Sequence, residues 1–167
     1  MYNAGLETII AMPQGREDLA FTYAKPADWR AIETVKITDP EAFQPLAIIV
    51  GGYGGAVFSV SVRAGFGIGT LREWLEWLGT QGVREVSIGG VRGYISETNE
   101  TAGVTEVVTR SFLFEDGGRL FSIATLAAAP FFDEVRFVLA EMIESFRLLR
   151  PQGSLVGLAP FECALAS

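Results

Sequence analysis

Between Ser111 and Leu149 the chain changes its hydrophobic period, and that change limits what the rest can be. The run SFLFEDGGRLFSIATL alternates large apolar residues with smaller or polar ones on both sides of an Asp-Gly pair. That is the pattern of two antiparallel strands joined by a tight turn. From Pro130 the repeat lengthens: Phe132, Val135, Leu139, Met142, Ile143 and Phe146 form one broad helical stripe, with Phe137 on the opposite side and Glu141 and Glu144 on the polar face. Proline opens a helix at little cost, and Asp133 and Glu134 are expected in its first turn, where the helix dipole favours them. Phe146 to Leu149 then reads as a short closing strand, ended by Pro151 and Gly153.

The remaining segments supply more strands and one shorter helix. Leu6 to Met12 and Leu19 to Tyr23, joined by a polar turn, predict an N-terminal hairpin. Pro26 fixes a bend after it, and Trp29 is expected to cover the edge of the core. Ala31 to Ile37 alternates weakly and reads as a short strand, followed by the turn chemistry of Thr38 to Glu41. Ala42 to Val62 carries no charge and is long enough to cross a bilayer. Pro45, the Gly51 to Gly55 loop and the β-branched residues instead predict two buried strands, Leu46 to Val50 and Ala56 to Arg63, with Phe58, Val60 and Val62 on one face. Thr70 to Thr80 is the shorter helix: Thr70 and Glu73 make a capping box, and Leu71, Trp74, Leu75 and Leu78 a stripe. Val83 to Ile88, Val91 to Thr98, Val104 to Phe114 and Leu120 to Leu126 predict a meander. Its joins are Gly89-Gly90, a longer loop from Asn99 to Gly103, and a turn at Asp116-Gly117. Phe112, Phe114, Phe121 and Ile123 are expected to face a helix layer.

Several function classes fall away on composition. The 167 residues contain no histidine and a single cysteine, Cys163. Ser-His-Asp and Cys-His catalysis, internal disulfides and Cys-rich metal sites are therefore absent. Lys and Arg total 13 against 20 Asp and Glu, a net charge of −7, and the basic residues are not clustered, which argues against nucleic acid. The Gly65 to Gly69 run follows a strand and precedes a helix, but its Gly-x-Gly-x-Gly spacing is a connector's rather than a dinucleotide fingerprint. No catalytic, cofactor or metal residue is assigned. Met1 to Gly15 shows no signal peptide, so the chain as it stands is expected to be soluble and cytoplasmic, or exported if a leader precedes it. Residues 1–167 are read as one domain with a core from about 6 to 150. The apolar tail, Leu155 to Ala166, is expected to pack back on that core or to serve a homodimer.

The order of these elements resembles the PsbP-like superfamily, the Mog-type fold. The residues that carry the likeness are Phe21-Thr22-Tyr23 with Pro26 and Trp29, Thr70-Leu71 with Trp74-Leu75, and Gly90 with Gly93. Asp116-Gly117 and Ile143 with Ser145-Phe146 complete it. The resemblance implies an α+β fold, an α/β/α sandwich with a central antiparallel sheet and two main helices, in a bacterial protein. It implies binding, assembly or scaffold work and no enzyme activity. The family's metal-ligating positions do not carry over, because they include a histidine this chain lacks, and no acidic Ran-binding patch matches.

Three functions compete. The leading one is a non-catalytic protein-binding or assembly module, with Trp77, Phe137 and Tyr53, all out of register with the core stripes, as partner contacts. The alternative is a carrier of an apolar small molecule or lipid held between the sheet and the long helix, suggested by twelve Phe. The third uses carboxylates alone: Glu97, Glu100 and Glu106 near one loop, Glu115 and Asp116 at another.

Overall fold

The computed structural model describes residues 5–15, 17–33, 44–51, 55–64, 71, 75, 83–116 and 119–149. Tyr53, Trp77, Cys163, the Gly65 to Gly69 connector, the Thr38 to Glu41 turn and the C-terminal tail lie outside these residues. So does the predicted Thr70 to Thr80 helix, apart from Leu71 and Leu75, which are helical and buried.

The N-terminal hairpin forms as expected. β1 (Leu6–Ala11) and β2 (Phe21–Pro26) pair antiparallel over their whole length. Two single turns of 3-10 helix, Pro13–Gly15 and Glu17–Leu19, occupy the connection, so β2 starts at Phe21 rather than Leu19. Arg119 fastens this connection to the far hairpin through Asp18 at 2.7 Å. After β2, Lys25 turns its ammonium inward, although lysine is rarely buried. It donates to the carbonyls of Trp29 (2.7 Å), Pro26 (3.1 Å) and Ala27 (3.3 Å), and so holds the bend before Trp29. Trp29 is buried against the bare backbone of Gly51, where a Cβ would lie 2.6 Å from the ring.

The main sheet runs β3 (Arg30–Glu33), β4 (Gln44–Val50), β5 (Val57–Ala64), β9 (Arg119–Ala128), β8 (Thr105–Asp116), β7 (Val91–Ala102) and β6 (Arg84–Ile88), every pair antiparallel. The uncharged run is therefore the strand pair β4–β5. No helix of the described residues is long and apolar enough to cross a membrane. One predicted join is corrected. Asn99 to Ala102 is strand, not loop: Ala102 pairs with Thr105, and Gly103 (φ +68°) and the fully exposed Val104 make a two-residue turn.

β9 runs straight into α1 (Ala129–Ser145), whose Pro130 sits in its first turn. Asp133 and Glu134 fall one turn deeper than expected, and Asp133 pairs with Arg136 at 3.3 Å instead of capping the N-terminus. Val135, Val138, Leu139, Met142 and Ile143 bury against the sheet. The helix ends at Phe146, and β10 (Arg147–Leu148) pairs with β2 to complete a second sheet, β1-β2-β10. This small sheet is an addition to the single sheet expected. Its β2 and the helix share one layer over the main sheet, tied by the Ser145 hydroxyl accepting from the Ala24 N–H (2.8 Å) and the Leu149 N–H donating to Ala20 O (2.9 Å).

The core fills the space under this layer. Phe58, Val60 and Val62 share the inner face as predicted, with Phe112, Phe114, Phe121 and Ile123 beside them. Phe114 stacks on Phe121 (centroids 5.1 Å, 6° between planes) and touches Phe146, which meets Phe21. On the outer face Leu71 and Leu75 bury against Leu113 and Leu120. The observed architecture is thus mostly antiparallel sheet with one main helix, an α+β fold.

Candidate functional site

Alternation along a strand decides which side chains can meet. Register places Arg84 opposite Ile95, and Ile95 opposite Phe112, so Arg84, Val86 and Ile88 of β6 point inward with the core residues. Arg110 has the same phase as Phe112 and Phe114 on β8 and also points inward. The C-terminal half of α1 passes over these positions. Between the two lies a cavity of about 340 Å³. Arg84, Arg110 and Arg147 line it, with Glu144 as the one carboxylate, and its walls include Val86, Ile88, Ile95, Ala140 and Ile143.

The three arginines are held differently. Arg147 is fixed: its Nη1 donates to the carbonyls of Glu144 (2.7 Å) and Phe146 (2.6 Å), where the helix end leaves acceptors unsatisfied. Its stem and guanidinium lie against the β6–β7 turn. Gly89 there has φ +60°, and a Cβ on it would come within 2.5 Å of Arg147 Nε. Glycine is required twice over, for the backbone angle and for the space. Arg110 is half-buried, and its Nε is a buried donor without an acceptor among the described residues. Arg84 is exposed, and no ion pair joins it or Arg110 to a described carboxylate. Glu97 faces Arg110 across the ladder but is not within ion-pair distance.

Phe137 stands where the sequence places it, on the solvent side of α1 and 58% exposed. The Arg136 guanidinium lies 5.7 Å from its ring and equally far from that of Phe132. Ala140 and Glu144, three and seven residues on, fall on the neighbouring side of the helix and line the cavity. The structure therefore brings Phe137 and the arginine cavity to one side of the molecule.

The predicted carboxylate groups do not assemble. Glu97 and Glu106 share a face of the β7–β8 ribbon, while Glu100 points to the other. Glu115 and Asp116 are consecutive strand residues and also point apart. Among the described residues no three His, Cys, Asp or Glu groups are placed to hold a metal ion. The cavity between sheet and helix, where an apolar cargo was the alternative, is walled partly by arginine. The arginine cluster itself was not anticipated. Its signal was present: Arg84 and Arg110 occupy the inward phase of strands whose neighbouring inward residues are Val86, Ile88, Phe112 and Phe114.

The arrangement of sheet, main helix and short closing strand defines a PsbP/Mog1-like fold. Among solved structures the chain is similar to cyanobacterial PsbP (CyanoP) from Synechocystis sp. PCC 6803, with TM-score 0.58 and 13% identity over 89% of this chain and 95% of that one. It is also similar to the Ran-binding protein Mog1p of Saccharomyces cerevisiae (TM-score 0.54, 13% identity, 89% and 97% covered). A third is LpqN of Mycobacterium tuberculosis, described as involved in cell envelope biogenesis (TM-score 0.52, 12% identity, 84% and 90% covered). At these identities the likeness is one of fold. No protein-family model and no curated protein sequence matches the chain.

Proposed function

We propose that this chain is a non-catalytic protein-binding or assembly module whose partner docks on the solvent side of α1 around Phe137. The observation that carries this reading is the exposure of that ring on the main helix, with Arg136 set beside it. Exposed aromatics with an adjacent arginine are what interface hot spots are built from. The fold supports it, since one solved protein of this shape is named as Ran-binding. Trp77 and Tyr53 belong to the same reading as further contacts. So does the complete α/β/α sandwich: Leu71 and Leu75, helical and one turn apart, support a second main helix over the outer face.

The test is a comparison of the wild-type protein with Phe137→Ser as baits in extract of the native host. The expected result is a partner enriched by the wild type and depleted at least tenfold by the variant. The melting temperature should move by less than about 2 °C, as befits an exposed substitution. Identical capture by both baits refutes the reading, and a large fall in melting temperature reassigns Phe137 to the core.

A further inference from the structure

We infer that the cavity between β6 and the C-terminal half of α1 is a binding site for a small organic acid, whose carboxylate is taken by Arg84 and Arg110 and whose aliphatic body lies against the cavity walls. This goes beyond the partner surface on α1 and does not depend on it. Three observations carry it.

The first is charge. In a chain of net charge −7, Arg84, Arg110 and Arg147 line one cavity in which Glu144 is the one lining carboxylate among the described residues, and Glu97, opposite Arg110 in register, forms no ion pair with it. The second is unmet hydrogen bonding. A guanidinium offers five N–H donors and no acceptor, and a buried donor without a partner is costly. Arg110 Nε is such a donor, as is Arg63 Nε outside the cavity, and what sets Arg84 and Arg110 apart is that both line the cavity and neither has a carboxylate partner among the described residues. Arg147, by contrast, already spends Nη1 on helix-end carbonyls and serves as a fixed wall. The third is the lining. Val86, Ile88, Ile95, Ala140 and Ile143 suit an apolar body. At about 340 Å³ the space lies at the lower end of the range that small-molecule sites occupy.

A planar carboxylate matches the arginine fork in a bidentate pair. A free phosphate carries more charge toward Glu144 and nothing for the aliphatic walls. The ligand class is therefore a compact aliphatic monocarboxylate.

The experiment is titration calorimetry of the purified protein with 4-methylpentanoate, its neutral analogue 4-methylpentanamide, and inorganic phosphate. Each is repeated on Arg110→Met and Arg84→Met, with the melting temperature of every variant as the fold control. The expected result is saturable heat with the carboxylate, none with the amide, weaker binding of phosphate, and at least tenfold weaker carboxylate binding in each variant. Absence of heat with the carboxylate at millimolar concentration overturns the assignment. Equal binding of the amide, phosphate binding as tightly, or undiminished affinity in the variants does the same. Arg84 is exposed, so Arg84→Met keeps the test decisive should Arg110→Met fail to fold.

Discussion

Two halves of one strand show how this molecule divides its work. On β8 the inward positions Phe112 and Phe114 lie in the aromatic core, where Phe114 stacks on Phe121 and meets Phe146. Two residues earlier in the same phase, Arg110 lies in the cavity under the C-terminal half of α1. The backbone ladder is continuous through both, since Arg110 pairs with Thr125 as regularly as Phe114 pairs with Phe121. The difference is entirely one of side chains. The aromatic end is closed by contact and provides stability. The arginine end is built on the same rigid ladder but leaves donors unmet, so the sheet holds the site in place without depending on it.

The largest effect separating the two ends should come from Phe114→Ala. The ring is almost fully buried and touches three other aromatic rings, so its loss leaves a cavity that cannot collapse on a rigid sheet. A cost of about 3–5 kcal/mol is expected in urea unfolding at constant slope. A loss below about 1 kcal/mol would mean that the aromatic end tolerates repacking and is not the stabilising half.

Gly89→Ala comes next. The residue has φ +60°, and the new methyl group would strike the Arg147 guanidinium. A cost of about 1–3 kcal/mol is expected from backbone strain and the displaced arginine. The same variant should weaken 4-methylpentanoate binding, because Arg147 forms one wall of the cavity. Full stability together with full binding would show that the turn and the cavity are uncoupled.

The sequence reveals these two ends unequally. The aromatic end is legible because alternation and helical period report burial directly: the pattern alone puts Phe58, Val60, Val62, Phe112, Phe114, Phe121 and Ile123 on the side where they lie. The extension of β7 to Ala102 was not legible. Glu97, Asn99, Glu100 and Thr101 are exposed and the ribbon there rises beyond the core, so no apolar repeat marks it and only backbone pairing makes it strand. The second sheet was hidden for another reason. β10 is two residues long, and its pairing with β2 is a tertiary event no local pattern encodes. The arginine cavity is assembled by register. Arg84, Arg110 and Arg147 stand far apart in the chain and meet only once β6, β7 and β8 are aligned and α1 folds back over them.

The smallest effect is expected from Arg110→Met, and it sharpens the comparison most because it sits on the same strand and face as Phe114. Methionine keeps an apolar stem in the wall of the cavity that Ile95 and Ile143 also line, and removes the guanidinium with its unsatisfied buried Nε. The Thr125 hydroxyl donates to the backbone carbonyl of Arg110, not to its side chain, so that bond survives (3.3 Å). Exchange of an unpaired, partly buried charge for an apolar group of similar length is neutral or stabilising, here within about 1 kcal/mol of wild type. Urea unfolding of the two variants side by side checks it. A loss for Arg110→Met as large as that for Phe114→Ala would make Arg110 a structural strut, and the division of the strand into a stabilising end and a binding end would fail.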